Sequence, residues 1–211
     1  MPLDNDATRP MQRRFGPYVC GKLMGMSPNS AVYIAHHQEQ ADAKVILRVM
    51  TVVQHDVQAA IAECKDELMA FAALENPYIV PILDYGADKS VIYIATRLMA
   101  GASLADRLKK RASRDILPAP DEIVNMGRTL AEALDYIHDA GMIHGQVEPH
   151  NILFDEDGVA YLSDIGLTRL LKIIFRLDAS NSFTTSPYSA PELWDGLRPQ
   201  PETDLYAVAC I

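Results

Sequence analysis

His144-Gly145-Gln146-Val147-Glu148-Pro149-His150-Asn151-Ile152-Leu153-Phe154 is closely followed by Ser163-Asp164-Ile165-Gly166. Between the two lies Val159-Ala160-Tyr161-Leu162, a short β-prone run that delivers Asp164 to a turn. Taken residue by residue, this is a polar loop set between apolar runs. His144 suits a core hydrogen-bonder supporting such a loop, with an acid or base role as the alternative. Asn151 and Asp164 suit turn positions, because both side chain types bond readily to nearby backbone.

The two motifs resemble the catalytic loop and metal-binding turn of protein kinases, which that family writes H-R-D-x-K-P-x-N and D-F-G. In the family the loop Asp accepts the substrate hydroxyl proton, while the Asn and the second Asp hold magnesium. The resemblance places Asn151 and Asp164 as the magnesium ligands. Gln146 stands at the base position and Glu148 at the position of the loop Lys. An amide replaces the base, and an anion replaces a cation beside the transferred phosphoryl group. The resemblance therefore implies an intact scaffold with its chemistry removed.

Upstream of the loop, Pro118-Ala119-Pro120-Asp121-Glu122 is a helix start, with Pro near the first position and carboxylates in the first turn. Ile123, Met126, Leu130, Leu134 and Ile137 recur on one face until Gly141, which predicts a core helix. Downstream, residues 167–189 resemble an activation segment, with Ser180, Ser182, Thr184, Thr185 and Ser186 in its second half. Ala190-Pro191-Glu192 matches A-P-E. Asp204 to Val208 resembles the start of the family's central large-lobe helix, Asp204 being its anchor, and the chain ends inside that helix. The family carries Arg after the loop His to grip an activation-segment phosphate, whereas Gly145 stands here, so phosphate on Thr184 or Thr185 is expected to find no internal partner.

Further upstream, Ala31–Ala35 and Val45–Met50 are β-prone runs separated by a polar loop from His36 to Asp42. The turn Gly25-Met26-Ser27-Pro28-Asn29-Ser30-Ala31-Val32 resembles the phosphate-covering G-x-G-x-x-G-x-V, with Ser27 and Ser30 at two of the glycine positions. Serine there, beside a stiff proline, weakens a phosphate cradle. The next strand resembles V-A-I-K: Arg48 takes the Lys position, and Ile46 takes that of the small residue over the adenine, where its bulk crowds a purine. Asp56 to Leu74 carries Val57, Ile61, Cys64, Leu68 and Phe71 at helical spacing. By register Glu67 matches the family's helix Glu and is expected to pair with Arg48.

Ile79–Leu83 and Val91–Ala95 read as two more strands around the turn Tyr85-Gly86-Ala87-Asp88. Thr96 to Met99 resembles the hinge region, with Thr96 gating the back pocket. The implied nucleotide set is Gly25, Ser27, Ser30, Val32, Ile46, Thr96, Met99 and Leu153. Phe71, Ile82, His144 and Ile165 match the family's structural stack. Ser103 and Asp106 look like an N-cap with a carboxylate three residues on, opening a short helix to about Arg111.

The expected architecture is an α+β, two-lobed kinase-like fold. It comprises a disordered segment over 1–15, a β-rich lobe over 16–96, a hinge over 97–101 and a partial helical lobe over 102–211. Composition fits this: 211 residues suffice for a proper core, and 28 acidic against 19 basic residues argue against nucleic acid or an anionic membrane as partner. No signal-peptide pattern and no long apolar run occur, which points to the cytoplasm. Cys20, Cys64 and Cys210 are widely spaced and odd in number, so reduced thiols are expected. The functional expectation is a pseudokinase that scaffolds or regulates protein partners and binds Mg-ATP weakly or not at all. The alternatives are a serine/threonine kinase with an atypical site and, because His-Gly also opens this loop there, a small-molecule phosphotransferase.

Overall fold

The computed structural model of the chain describes residues 13–27, 29–52, 57–175 and 186–211. Pro28, Asp56, Ser180, Ser182, Thr184, Thr185 and most of the expected disordered segment lie outside the described residues. The chain divides into two compact units, Met1–Val52 with Leu83–Leu98, and Val53–Ile82 with Met99–Ile211.

The first unit is a six-stranded sheet. Its strands are β1 (Arg14–Phe15), β2 (Tyr18–Ser27), β3 (Ser30–His37), β4 (Gln40–Thr51), β5 (Ile82–Asp88) and β6 (Val91–Arg97), in the spatial order β1-β2-β3-β4-β6-β5. Strand β4 shows how sequence sets the faces. Val45, Leu47 and Val49 are buried, joining Tyr18, Cys20, Tyr33, Ala35, Tyr93 and Ala95 in one core, while the alternate Ile46 and Arg48 turn to the opposite face. Leu47 is wholly buried, which contributes about 1.5–3 kcal/mol.

Three sequence expectations are corrected in this unit. Arg14 and Phe15 are not disordered but form β1, because the Phe15 ring packs 6.4 Å from that of Tyr33 and Cys20 N–H donates to the Arg13 carbonyl (2.9 Å). The loop expected over His36–Asp42 shrinks to the turn Gln38–Glu39, pinned by Gln38 N–H to Pro17 O (2.9 Å) and Glu39 N–H to His37 Nδ1 (3.2 Å). The turn placed at Tyr85–Asp88 falls at Lys89–Ser90, Lys89 taking φ 56°. Gly86 lies within β5, where a Cβ would collide with the Tyr93 hydroxyl. Close approach of a ring, not chain reversal, is what demands that glycine.

The second unit holds helices α1 (Val57–Ala72), α2 (Leu104–Ala112), α3 (Pro120–Asp139), α4 (Leu167–Phe175), α5 (Pro191–Trp194) and α6 (Pro201–Ala209), with a two-stranded sheet of β7 (Ile152–Phe154) and β8 (Ala160–Leu162). The run from Ile79 contributes only an isolated bridge to Leu162, so its strand begins later, at Ile82. Helix α2 opens as expected: Ser103 Oγ accepts from Asp106 N–H (3.2 Å). Helix α3 opens with Glu122 accepting from Ala119 N–H (3.2 Å) and buries Leu130, Ala133, Leu134 and Ile137. Its first turns depart from the expected core stripe, since Ile123 is 50% exposed. Among the described residues, no helix is long and apolar enough to cross a membrane.

Candidate functional site

The loop from His144 to Asn151 is held from below by α6. Asp204, 1% exposed, accepts three N–H groups: His144 N (2.9 Å), Gly145 N (2.8 Å) and His138 Nε2 (2.8 Å). Two consecutive backbone donors facing one carboxylate fix the direction in which the chain enters the loop. Gly145 takes φ +72°, a left-handed conformation that glycine adopts at little cost.

His144 carries the second tie. Its Nε2 lies 2.9 Å from the Ser163 carbonyl, which can only accept, and its Nδ1 receives Gln146 N–H at 3.2 Å. These partners assign the neutral imidazole with its proton on Nε2. With both nitrogens engaged and 1% exposure, His144 is a structural hydrogen-bonder rather than an acid or base.

Asn151 locks the far end of the loop. Its Nδ2 donates to Gln146 O (2.9 Å), while its own carbonyl accepts from Ser163 N–H (2.9 Å) and Ser163 Oγ (3.1 Å). The strand after the loop thus brings Asp164 beside the loop's end, at φ 62°. Committing the amide nitrogen to Gln146 O leaves Oδ1 as the side chain's remaining polar atom. An amide oxygen together with a carboxylate is a donor set that suits magnesium, which takes few protein ligands and completes its shell with water and phosphate.

The residues assigned to nucleotide in the first unit share one face of the sheet. Register pairs Gly25 with Val32, Val32 with Arg48, Ile46 with Thr96, and Ser27 with Ser30. Residues directly opposite in antiparallel pairs, and those two along, point the same way. Gly25, Ser27, Ser30, Val32, Ile46, Arg48 and Thr96 therefore form adjacent rows on the face away from the core. Ser27 Oγ reaches Ser30 O at 3.4 Å across the hairpin end. A Cβ at Gly25 would meet nothing within 4 Å, so the fold itself does not require glycine there. In the second unit Met99 is buried, and Leu153 occupies the middle of β7 between inward Ile152 and Phe154.

Helix α4 is an element of this unit that the sequence reading missed. Its signal was present as Leu167, Leu170, Leu171 and Ile174 at helical spacing, within a stretch assigned to an activation segment. Leu170 and Ile174 are 1% and 0% exposed, and α4 packs against α1. Arg169 Nη2 lies 2.6 Å from Glu67 Oε1, the two side chains being 67% and 19% exposed. Glu67, expected from its register to serve Arg48, thus has an ion-pair partner within its own unit. One turn before it, burial and the charges of Glu63 and Glu67 push the Cys64 thiol up to about 11, which keeps it protonated and unreactive at neutral pH. Cys20 is also buried, whereas Cys210 is exposed.

Of the expected structural stack, Phe71, His144 and Ile165 are buried and Ile82 is half-buried. Gly166, φ +71°, lies against Phe71: a Cβ there would collide with the Phe71 ring. Gly166→Ala is expected to destabilise the protein by about 2–4 kcal/mol, summing an overpacked contact and a left-handed alanine. Urea unfolding measures it. A change below about 0.5 kcal/mol, the usual range for neutral substitutions, would show that Phe71 yields freely.

A β-sheet unit, a helical unit and a loop tied by His144, Asn151 and Asp204 define a kinase-like fold. The chain belongs to the protein kinase family, whose protein kinase domain matches residues 18–211. It is 29% identical over 209 residues to the serine/threonine-protein kinase PknE of Mycobacterium tuberculosis, covering 99% of this chain and 36% of that protein. Against PknD of the same organism the identity is 30% over 207 residues, covering 98% and 30%. The chain therefore spans about a third of the length of these curated relatives. Among solved structures, it is similar in fold to the Mycobacterium tuberculosis PknI kinase domain. That match has TM-score 0.69 and 24% identity, covering 94% of this chain and 73% of that one.

Proposed function

We propose that this protein kinase domain is a catalytically impaired, regulatory or scaffolding module for protein partners, with weak Mg-ATP binding. The observation that carries the reading is Gln146 in a loop whose supports are all in place. Asp204, His144 and Asn151 hold the backbone as a working loop would need, so the amide at the base position is a local replacement within an ordered frame. Asn151 and Asp164 would hold magnesium, which supplies charge neutralisation for phosphate oxygens. Ile46, Ser27 and Ser30, on one face of the sheet, oppose a purine and its phosphates. A cytoplasmic setting is part of the same reading.

A second reading is a serine/threonine kinase with an atypical site, favoured by the names of the relatives, which are serine/threonine-protein kinases. Nucleotide affinity measures how far the pocket departs from such kinases. At about 1 mM Mg-ATP, binding in the high micromolar range raises the melting temperature by only about 1–3 °C. A rise of about 8 °C or more, the signature of sub-micromolar binding, would overturn the weak-binding assignment.

A further inference from the structure

A cavity of about 600 Å³ opens in the second unit between α2, the first turns of α3 and the turn joining β7 to β8. That volume is in the range that encloses a small organic molecule. Its walls are mostly apolar, with Leu104, Leu108, Met126, Phe154 and Val159 among them. Ile123, which breaks the expected core stripe by being half-exposed, lines the same space. The apolar face of α3 thus runs on past the core into the cavity.

The polar groups at this cavity are unevenly satisfied. Arg111 Nη2 is spoken for by Glu122 Oε2 at 2.7 Å. Arg107 is different: its backbone N–H is bonded to Ser103 O (3.0 Å), but its guanidinium, whose carbon sits 3.5 Å from the centroid of the Phe154 ring, makes no hydrogen bond or ion pair among the described residues. Burial and the like charge of Arg111 both act against its charged form, and Glu122 and Asp155 offset this only from a distance. A half-buried cation stacked on an aromatic ring, with its donors unfilled, is a ready anchor for a planar anion. Arg128 adds a further cation, while Glu122 and Asp157 at the cavity disfavour a ligand carrying several negative charges.

We propose that this cavity binds a small planar aromatic monoanion, its ring in the apolar slot beside Phe154 and Val159 and its acid group on Arg107. Such a site is separate from the nucleotide residues yet adjoins them along the chain. Leu153, assigned to nucleotide, and Phe154 are successive residues of β7, whose side chains leave opposite faces of the strand. A ligand that fixes Phe154 therefore also steadies the backbone that carries Leu153.

The test uses 2-naphthoate as probe and its neutral analogue 2-naphthylmethanol as control, titrated into the 211-residue protein and followed by backbone amide chemical shifts. Naphthoate is expected to give saturating shifts confined to residues 104–111, 123–129 and 154–160, and to bind about tenfold more tightly than the alcohol, as a charge-assisted hydrogen bond requires. Arg107→Gln should remove that difference while leaving the alcohol's affinity unchanged. Val159→Trp, which fills the slot, should abolish both. Equal affinities of acid and alcohol on the unaltered protein would overturn the proposal without recourse to any variant. So would shifts that map elsewhere or fail to saturate.

Discussion

Incubated with Mg-ATP and generic protein substrates, the purified chain is expected to show no phosphoryl transfer above that of a Gln146→Ala variant. Kinases turn over at roughly 1–100 per second, and loss of a general base costs about 10²- to 10⁴-fold. The Gln146 amide can accept a hydrogen bond from a hydroxyl, but it has no basicity near neutral pH and no charge to favour a departing proton. Glu148 adds an anion where the γ-phosphate already repels one. Restoring Gln146→Asp with Glu148→Lys should recover little, because Ile46, Ser27 and Ser30 compromise the nucleotide face independently. Radiolabel transfer from γ-labelled ATP measures both proteins. Wild-type turnover within about tenfold of ordinary kinases would defeat the impaired reading. His150, exposed in the same loop, would then be the first residue to test as the base.

Asp204→Ala is expected to cost about 3–5 kcal/mol of stability, the range for removing one partner from a buried charged network. The carboxylate answers the N–H groups of His144 and Gly145 and the Nε2 of His138 together, and with it gone each is left without its acceptor. An unsatisfied buried donor costs about 1–3 kcal/mol, so three of them, each near the lower end because His138 and Gly145 are only part-buried, reach that range. Asp204→Asn should cost less, since the amide oxygen can still accept. Urea denaturation of the two variants decides it. Equal, small losses would mean that water reaches the loop and replaces the carboxylate.

What was legible in the sequence was local or carried by short motifs. The Ser103 cap of α2 and the Pro120 start of α3 need only their neighbours, so the residues themselves announce them. The loop supports were legible because His144, Asn151 and Asp204 keep their motif spacing. What escaped was decided at long range. Tyr-Gly-Ala-Asp spells a turn until the Tyr93 ring is laid over Gly86. Helix α4 is too short to be stable alone and is fixed by burial of Leu170 and Ile174. Ile123 has the spacing of a core residue but sits one turn beyond where neighbours cover the helix.

The contact between Arg169 and Glu67 makes α4 an internal competitor for a carboxylate that the family would use elsewhere. A cation drawn to the same oxygen of Glu67 competes with a tethered one, whose local concentration no dilution reduces. Because Arg169 is largely exposed, the pair is worth only about 0–1 kcal/mol, so the toll on a rival is at most roughly fivefold in apparent affinity. That is a toll small enough to be lifted by a single binding event.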